Sequence, residues 1–296
     1  MRRRVCRGLW MSASAVCVAL TAACVPAKTS SSASQAAPTA AAADPSTAGR
    51  GTTSDPSLAI GAFTIDGADR YELTTRNGVV TASAPATNTG TNTRTGFWPA
   101  GGEPTADQLS CATWTEAPPG LKQQGAVLRA RTSQGRTTAI TVTQNISYGV
   151  WWGFHIHVMD SGSAQPFHEI ATFDLREVFA PGYPDVLVAP PYPWRMCARV
   201  VGDVVSFVVW PTTDPQPAWD DARYGGSVRL PAGWAAPGHV GWYVGHLEPG
   251  KWAGFAERSL MGLRPHRSPA SQQDVLDELS KPAVPPVEPT WIAEAP

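Results

Sequence analysis

The chain has 296 residues, of which 16% are charged, and a formal net charge of −1. A nucleic-acid-binding protein is disfavoured by this balance, because such proteins neutralise phosphates with clustered lysines and arginines. Beyond the first 23 residues no stretch reaches the ~20 apolar residues that a membrane span requires.

The N-terminus has the three-part pattern of a secretory signal peptide. Four arginines precede an apolar run over residues 9–19, and that run is too short to span a membrane. The segment closes on LTAAC, ending at Cys24, which resembles a bacterial lipobox with Thr21 where leucine is usual. The resemblance implies cleavage after residue 23, acylation of Cys24 (palmitate) and a lipid anchor on the outer side of the cell membrane. The alternative is an ordinary signal peptide, with Cys24 incidental.

Residues 24–58 form a second compositional zone, rich in Ala, Ser, Thr and Pro and without any aromatic residue. A segment with so little to bury cannot offset the entropy of folding. We therefore expect it to be a flexible stalk. The chain then divides into a signal peptide (1–23), this stalk with its lipidated cysteine (24–58), a folded domain (59–265) and a tail (266–296).

The residue pattern of the folded domain predicts a succession of short strands. Runs rich in Val, Ile, Thr and aromatic residues alternate with Gly, Pro, Asp and Asn, and no long helical period occurs. Gly202-Asp203 between two such runs is a two-residue hairpin signal. This pattern predicts an antiparallel β-sandwich or barrel. The predicted strands are Gly61–Ile65, Tyr71–Thr75, Val79–Ser83, Leu109–Thr115, Ala126–Thr132, Thr137–Gln144, Val150–Met159, His168–Leu175, Trp194–Val201, Val204–Trp210, Ser227–Leu230 and His239–His246.

The strand Val150–Met159, VWWGFHIHVM, holds the most distinctive pair of residues, His155 and His157. Side chains alternate faces along a strand, so Phe154 and its even-numbered neighbours form the core side. The two histidines, with Trp151, then share the exposed or cleft side. This spacing also suits a metal, but further ligands such as His168, Glu169 and His246 would be available only if the fold brought them close. We expect no metal and no cofactor, and a ligand-binding face or ordinary hydrogen-bonded histidines instead.

Two cysteines remain after Cys24, at positions 111 and 197. An exported protein meets an oxidising compartment, where a Cys111–Cys197 disulfide is the simplest use of them. The alternative is a pair of buried free thiols.

The last third of the domain offers more candidates for a binding face. Arg195 and Arg199 alternate with apolar residues along one predicted strand, and His246 ends another. Arginines, histidines and tryptophans on adjacent strands of a concave sheet suit carbohydrate binding, because aromatic rings stack on sugars and guanidinium groups pair with carboxylates. Up to half of the twelve tryptophans would then be available for a site, with the remainder structural.

The tail contains one helix signal. Ser271-Gln-Gln-Asp274 resembles a capping box ahead of apolar residues, and Lys281-Pro282 ends the predicted helix. The Pro-rich remainder either docks on the domain through Trp291 or stays loose.

Two segments resemble the closing strands of concanavalin A-like lectin/glucanase sandwiches, the laminin-G-type jelly roll. They are PWRMCARVVGDVVSFVVWPTTDPQPAW (193–219) and PGHVGWYVGHLEPGKWAGFAE (237–257), the second leading through a loop to a final strand. The resemblance implies a jelly-roll fold. The glucanase carboxylate motifs are absent, and FHIH only loosely echoes the Gln-Ile-His of alginate-lyase-like members. Only four of the cations are lysines, a bias typical of GC-rich genomes such as those of actinobacteria.

These features lead to three hypotheses. The first is a monomeric, lipid-anchored, exported envelope protein whose jelly roll binds a glycan without catalysis, through Trp151, His155, His157, Arg195, Arg199 and His246. The second is a glycan-active hydrolase or lyase that uses a histidine as acid or base, with an arginine to neutralise charge. The third is a scaffold that binds another envelope protein.

Overall fold

The computed structural model describes residues 52–53, 55–115, 123–147, 151–175, 193–262 and 269–290, with the backbone alone at 52–53, 146–147, 151–152 and 269–272. The predicted signal peptide, Cys24 and nearly all of the predicted stalk lie outside these ranges. No helix within them combines the length and the apolar character needed to cross a bilayer.

The described residues form fifteen strands and one helix. They are β1 (Thr52–Thr53), β2 (Leu58–Thr64), β3 (Glu72–Arg76), β4 (Val79–Ser83), β5 (Arg94–Pro99), β6 (Gln108–Thr115), β7 (Gln123–Ser133), β8 (Arg136–Ser147), β9 (Trp151–Asp160), β10 (Phe167–Phe173), β11 (Trp194–Val201), β12 (Val204–Pro211), β13 (Gly225–Arg229), β14 (His239–Gly245), β15 (Trp252–Gly262) and α1 (Pro269–Ser280).

The strands pair into two sheets, which confirms the expected all-β sandwich. The first has eight strands in the order β1-β3-β4-β15-β6-β11-β12-β13, and the second has seven in the order β10-β9-β8-β7-β14-β5-β2. All pairs are antiparallel except the short β1–β3 contact. Every predicted strand is present within a few residues, and the Gly202-Asp203 turn joins β11 to β12, with φ +57° at Gly202. The strands that the residue pattern did not predict include β5, which begins at Arg94. The final strand implied by the jelly-roll resemblance corresponds to β15.

The core lies between the sheets and is built from alternate residues of each strand. On β9, Phe154, Ile156 and Val158 are fully buried in it, as the pleat predicts. From the opposite sheet Trp114 and Trp194 meet edge to face at 4.8 Å and pack against Phe154. Each such side chain contributes about 3–5 kcal/mol when judged by replacement with alanine.

The seven-stranded sheet is strongly curled away from the core. Strands β5 and β10 stand five places apart, which in a flat sheet would separate them by about 24 Å. Even so, the Arg94 guanidinium on β5 lies 4.3 Å from the ring of Phe167 on β10. Likewise, a Cβ on Gly61 of β2 would come within 2.7 Å of Thr137 on β8, so a glycine is required at that approach. The outward face of this sheet is therefore concave and partly enclosed.

The outward face of the eight-stranded sheet is covered by α1 instead. Cys111 and Cys197 lie directly opposite each other on β6 and β11 and form the expected disulfide. Val275 and Leu279 of α1 are buried over it. The helix begins at Pro269, two residues before the predicted capping box, and ends at Ser280 as expected.

The described part of the tail after α1 docks on the domain, so this part is not loose. Val287 pairs with Val228 of β13, and the Thr290 amide donates to the Ile170 carbonyl of β10 at 2.9 Å. The tail therefore bridges one edge of each sheet. Trp291 lies outside the described residues.

Candidate functional site

Polar and titratable side chains converge on the curled outward face of the seven-stranded sheet, which we call the concave face. Strand register places them in rows: His157 is opposite Thr141, and His155 is opposite Thr143. Although the histidines point away from the core, they are only 2% and 6% exposed, because the flanks of the sheet fold over the middle. The concave face comprises Arg94, Gln123, Thr141, Thr143, His155, His157, Glu169, Thr172 and Tyr243.

A β-bulge on β10 assembles the cluster of His155, His157 and Glu169. The register between β9 and β10 shifts between Glu169 and Ala171, so Glu169 and Thr172 both face outward beside the histidines. The Glu169 carboxylate makes a short contact with His155 Nδ1 and lies 4.0 Å from His157 Nε2. The two imidazoles stack with their centroids 5.7 Å apart. One ligand atom from each of the three residues falls within 4.8 Å of the others, so this is the group that would hold a metal ion.

The protonation of this cluster is shifted by its surroundings. Burial is the main cause that lowers the pKa of His157, and the positive potential of His155 adds to it. For Glu169, burial alone would raise the pKa, but hydrogen bonds from His155 and Thr172 bring it below its usual range. A neutral His157 therefore stands beside an ionised carboxylate near pH 7.

Several buried polar atoms on and beside the concave face have no hydrogen-bond partner among the described residues. They include the hydroxyls of Thr141 and Thr143, Nδ1 of His157 and Nε2 of His246. An unsatisfied buried polar atom costs about 1–3 kcal/mol, so folded proteins rarely keep several together without a use. Their grouping within one enclosed concavity indicates a place for a polar ligand.

Arg94 supplies the positive charge of the concave face. Its side chain is 8% exposed, stacks on Phe167, and donates from Nη1 to the Thr64 hydroxyl at 3.2 Å and to the Asn92 side chain. Within the described residues no carboxylate forms an ion pair with it. Arg94 is therefore a nearly buried guanidinium that lacks a carboxylate partner among the described residues.

His246 lies at the rim of the same concavity. It follows the end of β14 with φ +55°, and its amide donates to the Thr93 carbonyl at 3.1 Å. Burial, with a smaller effect from Arg94, lowers the pKa of His246 to about 4. The charge of His246 is the smallest of the causes that act on the pKa of His157, so the two imidazoles lie within electrostatic range of each other.

Tyr243 and Gln123 complete the hydrogen-bonding surface. The Tyr243 hydroxyl donates to Gln123 Oε1 at 2.7 Å, and both side chains are buried. Burial raises the pKa of Tyr243, so its phenol keeps its proton. Neither residue was proposed from the sequence. Tyr243 lay within a predicted strand, and the alternation of side chains along that strand could have identified it as an outward-facing residue.

The two arginines proposed from the sequence do not join the histidines, which corrects the expectation that all of them share one concave sheet. Arg195 and Arg199 lie on β11 of the eight-stranded sheet. Arg195 donates to the Thr113 hydroxyl and the Glu257 carbonyl. Arg199 is 2% exposed, lies under the Trp219 ring and donates to the carbonyls of residues 278 and 281 at the end of α1. The strand pattern gave their direction but could not assign β9 and β11 to different sheets.

Two other predicted residues remain untested. The side chain of Trp151 and the whole of Cys24 lie outside the described residues, although β9 does begin at Trp151. Among the residues that the sequence did not single out, Arg94 is the most important. It was missed because its strand follows a run of Asn, Thr and Gly (TNTGTNTRTGFW) that resembles a loop.

Comparisons with known proteins found no matching family model and no matching curated protein. Among solved structures, the carbohydrate-binding module CBM66 from Bacillus subtilis has a TM-score of 0.42 at 8% identity, covering 72% of this chain and 100% of that one. The VIP36 exoplasmic/lumenal domain in its Ca2+/Man3GlcNAc-bound form has a TM-score of 0.40 at 10% identity, covering 79% and 92%. A Bacillus subtilis protein of unknown function with a galectin-like fold has a TM-score of 0.40 at 11% identity, covering 69% and 88%. Similarity this low carries over no function.

Proposed function

We propose that the concave face binds a glycan carrying acidic sugar units. The observation that carries the proposal is Arg94, a nearly buried guanidinium without a carboxylate partner among the described residues. It lies near His157 and His246, whose neutral forms burial favours. A planar guanidinium pairs with a carboxylate through two parallel hydrogen bonds, which suits a uronate. The unpartnered hydroxyls of Thr141 and Thr143 and the histidine nitrogens then meet sugar hydroxyls.

Affinity electrophoresis through gels that contain an acidic polysaccharide, such as alginate or polygalacturonate, tests this proposal. The wild-type protein is retarded in acidic gels and not in gels of a neutral glucan, and Arg94→Met abolishes the retardation. Arg195→Met, on the other sheet, is the matched control and leaves it intact. Failure of the wild type to bind any acidic polysaccharide would overturn the proposal, and loss of binding in the Arg195 variant alone would move the site to the other sheet.

A second candidate function is cleavage of the same glycan by β-elimination. It is favoured by the neutral, buried His157 within electrostatic range of Arg94. In such a reaction Arg94 neutralises the uronate carboxylate, the histidine removes the proton on the adjacent carbon, and the C–O bond to the leaving sugar breaks. The leaving oxygen then takes a proton from a protonated group such as Tyr243.

The two candidates differ in a directly measurable product. Elimination creates a carbon–carbon double bond conjugated to the carboxylate, which absorbs in the ultraviolet. A steady rise in absorbance with alginate or polygalacturonate, absent in His157→Ala, would establish a lyase. Retardation in the gel without any rise in absorbance identifies a binding protein.

The cellular setting of the domain rests on the sequence alone. The signal-peptide pattern and the lipobox-like segment ending at Cys24 support export and a lipid anchor, which would present the sandwich to the cell envelope on its stalk. Mass spectrometry of the N-terminal peptide, with Cys24→Ser as the control, tests acylation. An unmodified Cys24 in membrane-extracted protein would contradict it.

A further inference from the structure

We propose that His155, His157 and Glu169 form a binding site for a divalent transition-metal ion such as Zn2+. The proposal is independent of the glycan, since it rests on the three side chains and their geometry. Two imidazoles and a carboxylate are a ligand set that suits zinc and its neighbours in the periodic table, whereas Ca2+ and Mg2+ prefer oxygen ligands alone.

The ligand atoms are close to the separation that coordination requires. With bonds of about 2.0–2.2 Å, tetrahedral ligands lie roughly 3.3–3.5 Å apart. Here the Glu169 carboxylate already contacts His155 Nδ1 and stands 4.0 Å from His157 Nε2. Glu169 lies on an edge strand with 45% of its side chain exposed, so it is free to move the remaining distance. Both histidines lie on β9, which is paired on both sides, to β10 and to β8.

The hydrogen bonding of the cluster also points to a metal ion. Nδ1 of His157 has no hydrogen-bond partner within the described part of the chain, and the residue is 6% exposed. The other ring nitrogen, Nε2, faces the Glu169 carboxylate at 4.0 Å. Glu169 is in turn oriented by the Thr172 hydroxyl, which donates to its other carboxylate oxygen. Such a second hydrogen bond is what orients carboxylate ligands in metal sites.

The arrangement is built by strand pairing and not by chance proximity on a loop. The His-x-His spacing puts both imidazoles on one face of β9, and the bulge after Glu169 directs that carboxylate and Thr172 to the same side. The Ile170 carbonyl within the bulge accepts from the Thr290 amide, so the docked tail supports the geometry. Three protein ligands leave a coordination position for water or a ligand group.

The test uses the full chain after its metal has been stripped, and zinc chloride is the only ligand added. Isothermal titration calorimetry measures the binding, and thermal unfolding measures the change in melting temperature. We expect one equivalent to bind and the melting temperature to rise with zinc concentration. Glu169→Gln keeps the size of the side chain but removes its charge, and should weaken binding by at least ~10-fold. Co2+ in place of zinc should give visible absorption bands that His157→Ala loses.

The control variant is His168→Ala, which removes a neighbouring histidine on β10 that does not belong to the cluster. It should bind zinc like the wild type. The proposal is overturned if the wild type binds no zinc, or if Glu169→Gln and His168→Ala bind it equally well. Because Glu169 is half-exposed, its replacement will not prevent folding. Gel retardation by acidic glycans in the presence of EDTA is scored separately, so failure of the metal site and failure of glycan binding are distinguishable.

Discussion

The outward faces of the two sheets carry the same kinds of residue but use them differently. On the eight-stranded sheet, Arg199 is buried beneath α1 with both of its bonded nitrogens donating to helix carbonyls. On the seven-stranded sheet, Arg94 is nearly as buried but has no carboxylate partner among the described residues, and Nδ1 of His157 has no hydrogen bond there. The chain itself supplies partners for Arg199, whereas Nδ1 of His157 and the hydroxyls of Thr141 and Thr143 on the concave face have none among the described residues.

This difference shows why residue type alone is a poor guide to a site. Buried arginines are costly unless the chain supplies partners for their donors. Around Arg199 the chain supplies carbonyls and the Trp219 ring, so the residue stabilises the docked helix. Around Arg94 the curled sheet provides enclosure and polar neighbours, and the Glu169 carboxylate of the same concave face pairs with His155 and not with Arg94. Selection for stability alone would not maintain the buried polar groups of the concave face, because they lack partners among the described residues.

The largest expected change in stability concerns the disulfide on the outward face of the eight-stranded sheet. Replacing both Cys111 and Cys197 by alanine removes a bridge with a sequence separation of 86, and should lower the free energy of unfolding by up to about 4–5 kcal/mol. Glycan retardation at low temperature should persist, because the bridge lies on the far side of the core. Urea unfolding of the double variant provides the measurement. Unchanged stability would mean that this face depends on the packing of α1 and not on the crosslink.

The next largest effect is the pH dependence of stability that His246 causes at the concave face. The pKa of His246 is about 4 in the folded protein, against an ordinary value of 6.5, so folding favours its neutral form. Its contribution to stability is therefore complete above pH 6.5 and is lost as the pH falls toward 4, by up to about 3 kcal/mol. His246→Asn should flatten the dependence of the unfolding free energy on pH in this window. Superimposable profiles for the wild type and the variant would contradict the buried, neutral histidine.

The sequence predicted the sandwich and the direction of each side chain, but not the convergence of the site. Alternation along β9 was enough to place His155 and His157 opposite Phe154. The proximity of Glu169 depends on a bulge of one residue in β10, which leaves no mark in the hydrophobic pattern. The approach of Arg94 depends on the curl of a whole sheet. Such curvature arises from contacts between distant strands, and the residues of β5 do not report it locally.

The smallest effect separates the two arginines directly. Arg199→Met removes two charge-assisted hydrogen bonds, each 2.6 Å long, from the end of α1, and should cost about 2–3 kcal/mol. Arg94→Met removes bonds to Thr64 and Asn92 but also relieves a buried charge without a counter-ion, so the two effects offset and the net change should stay within about 1 kcal/mol. Urea unfolding at neutral pH measures both variants side by side.

The two variants should rank in the opposite order when glycan binding is measured in place of stability. Acidic-glycan retardation should be lost in Arg94→Met and kept in Arg199→Met. If Arg94→Met instead unfolds as readily as Arg199→Met, Arg94 is a structural residue and the proposed carboxylate site loses its main support. Arg94 and Arg199 are matched in burial, side-chain size and charge. The pair of variants therefore decides whether an arginine without a carboxylate partner among the described residues marks a binding face.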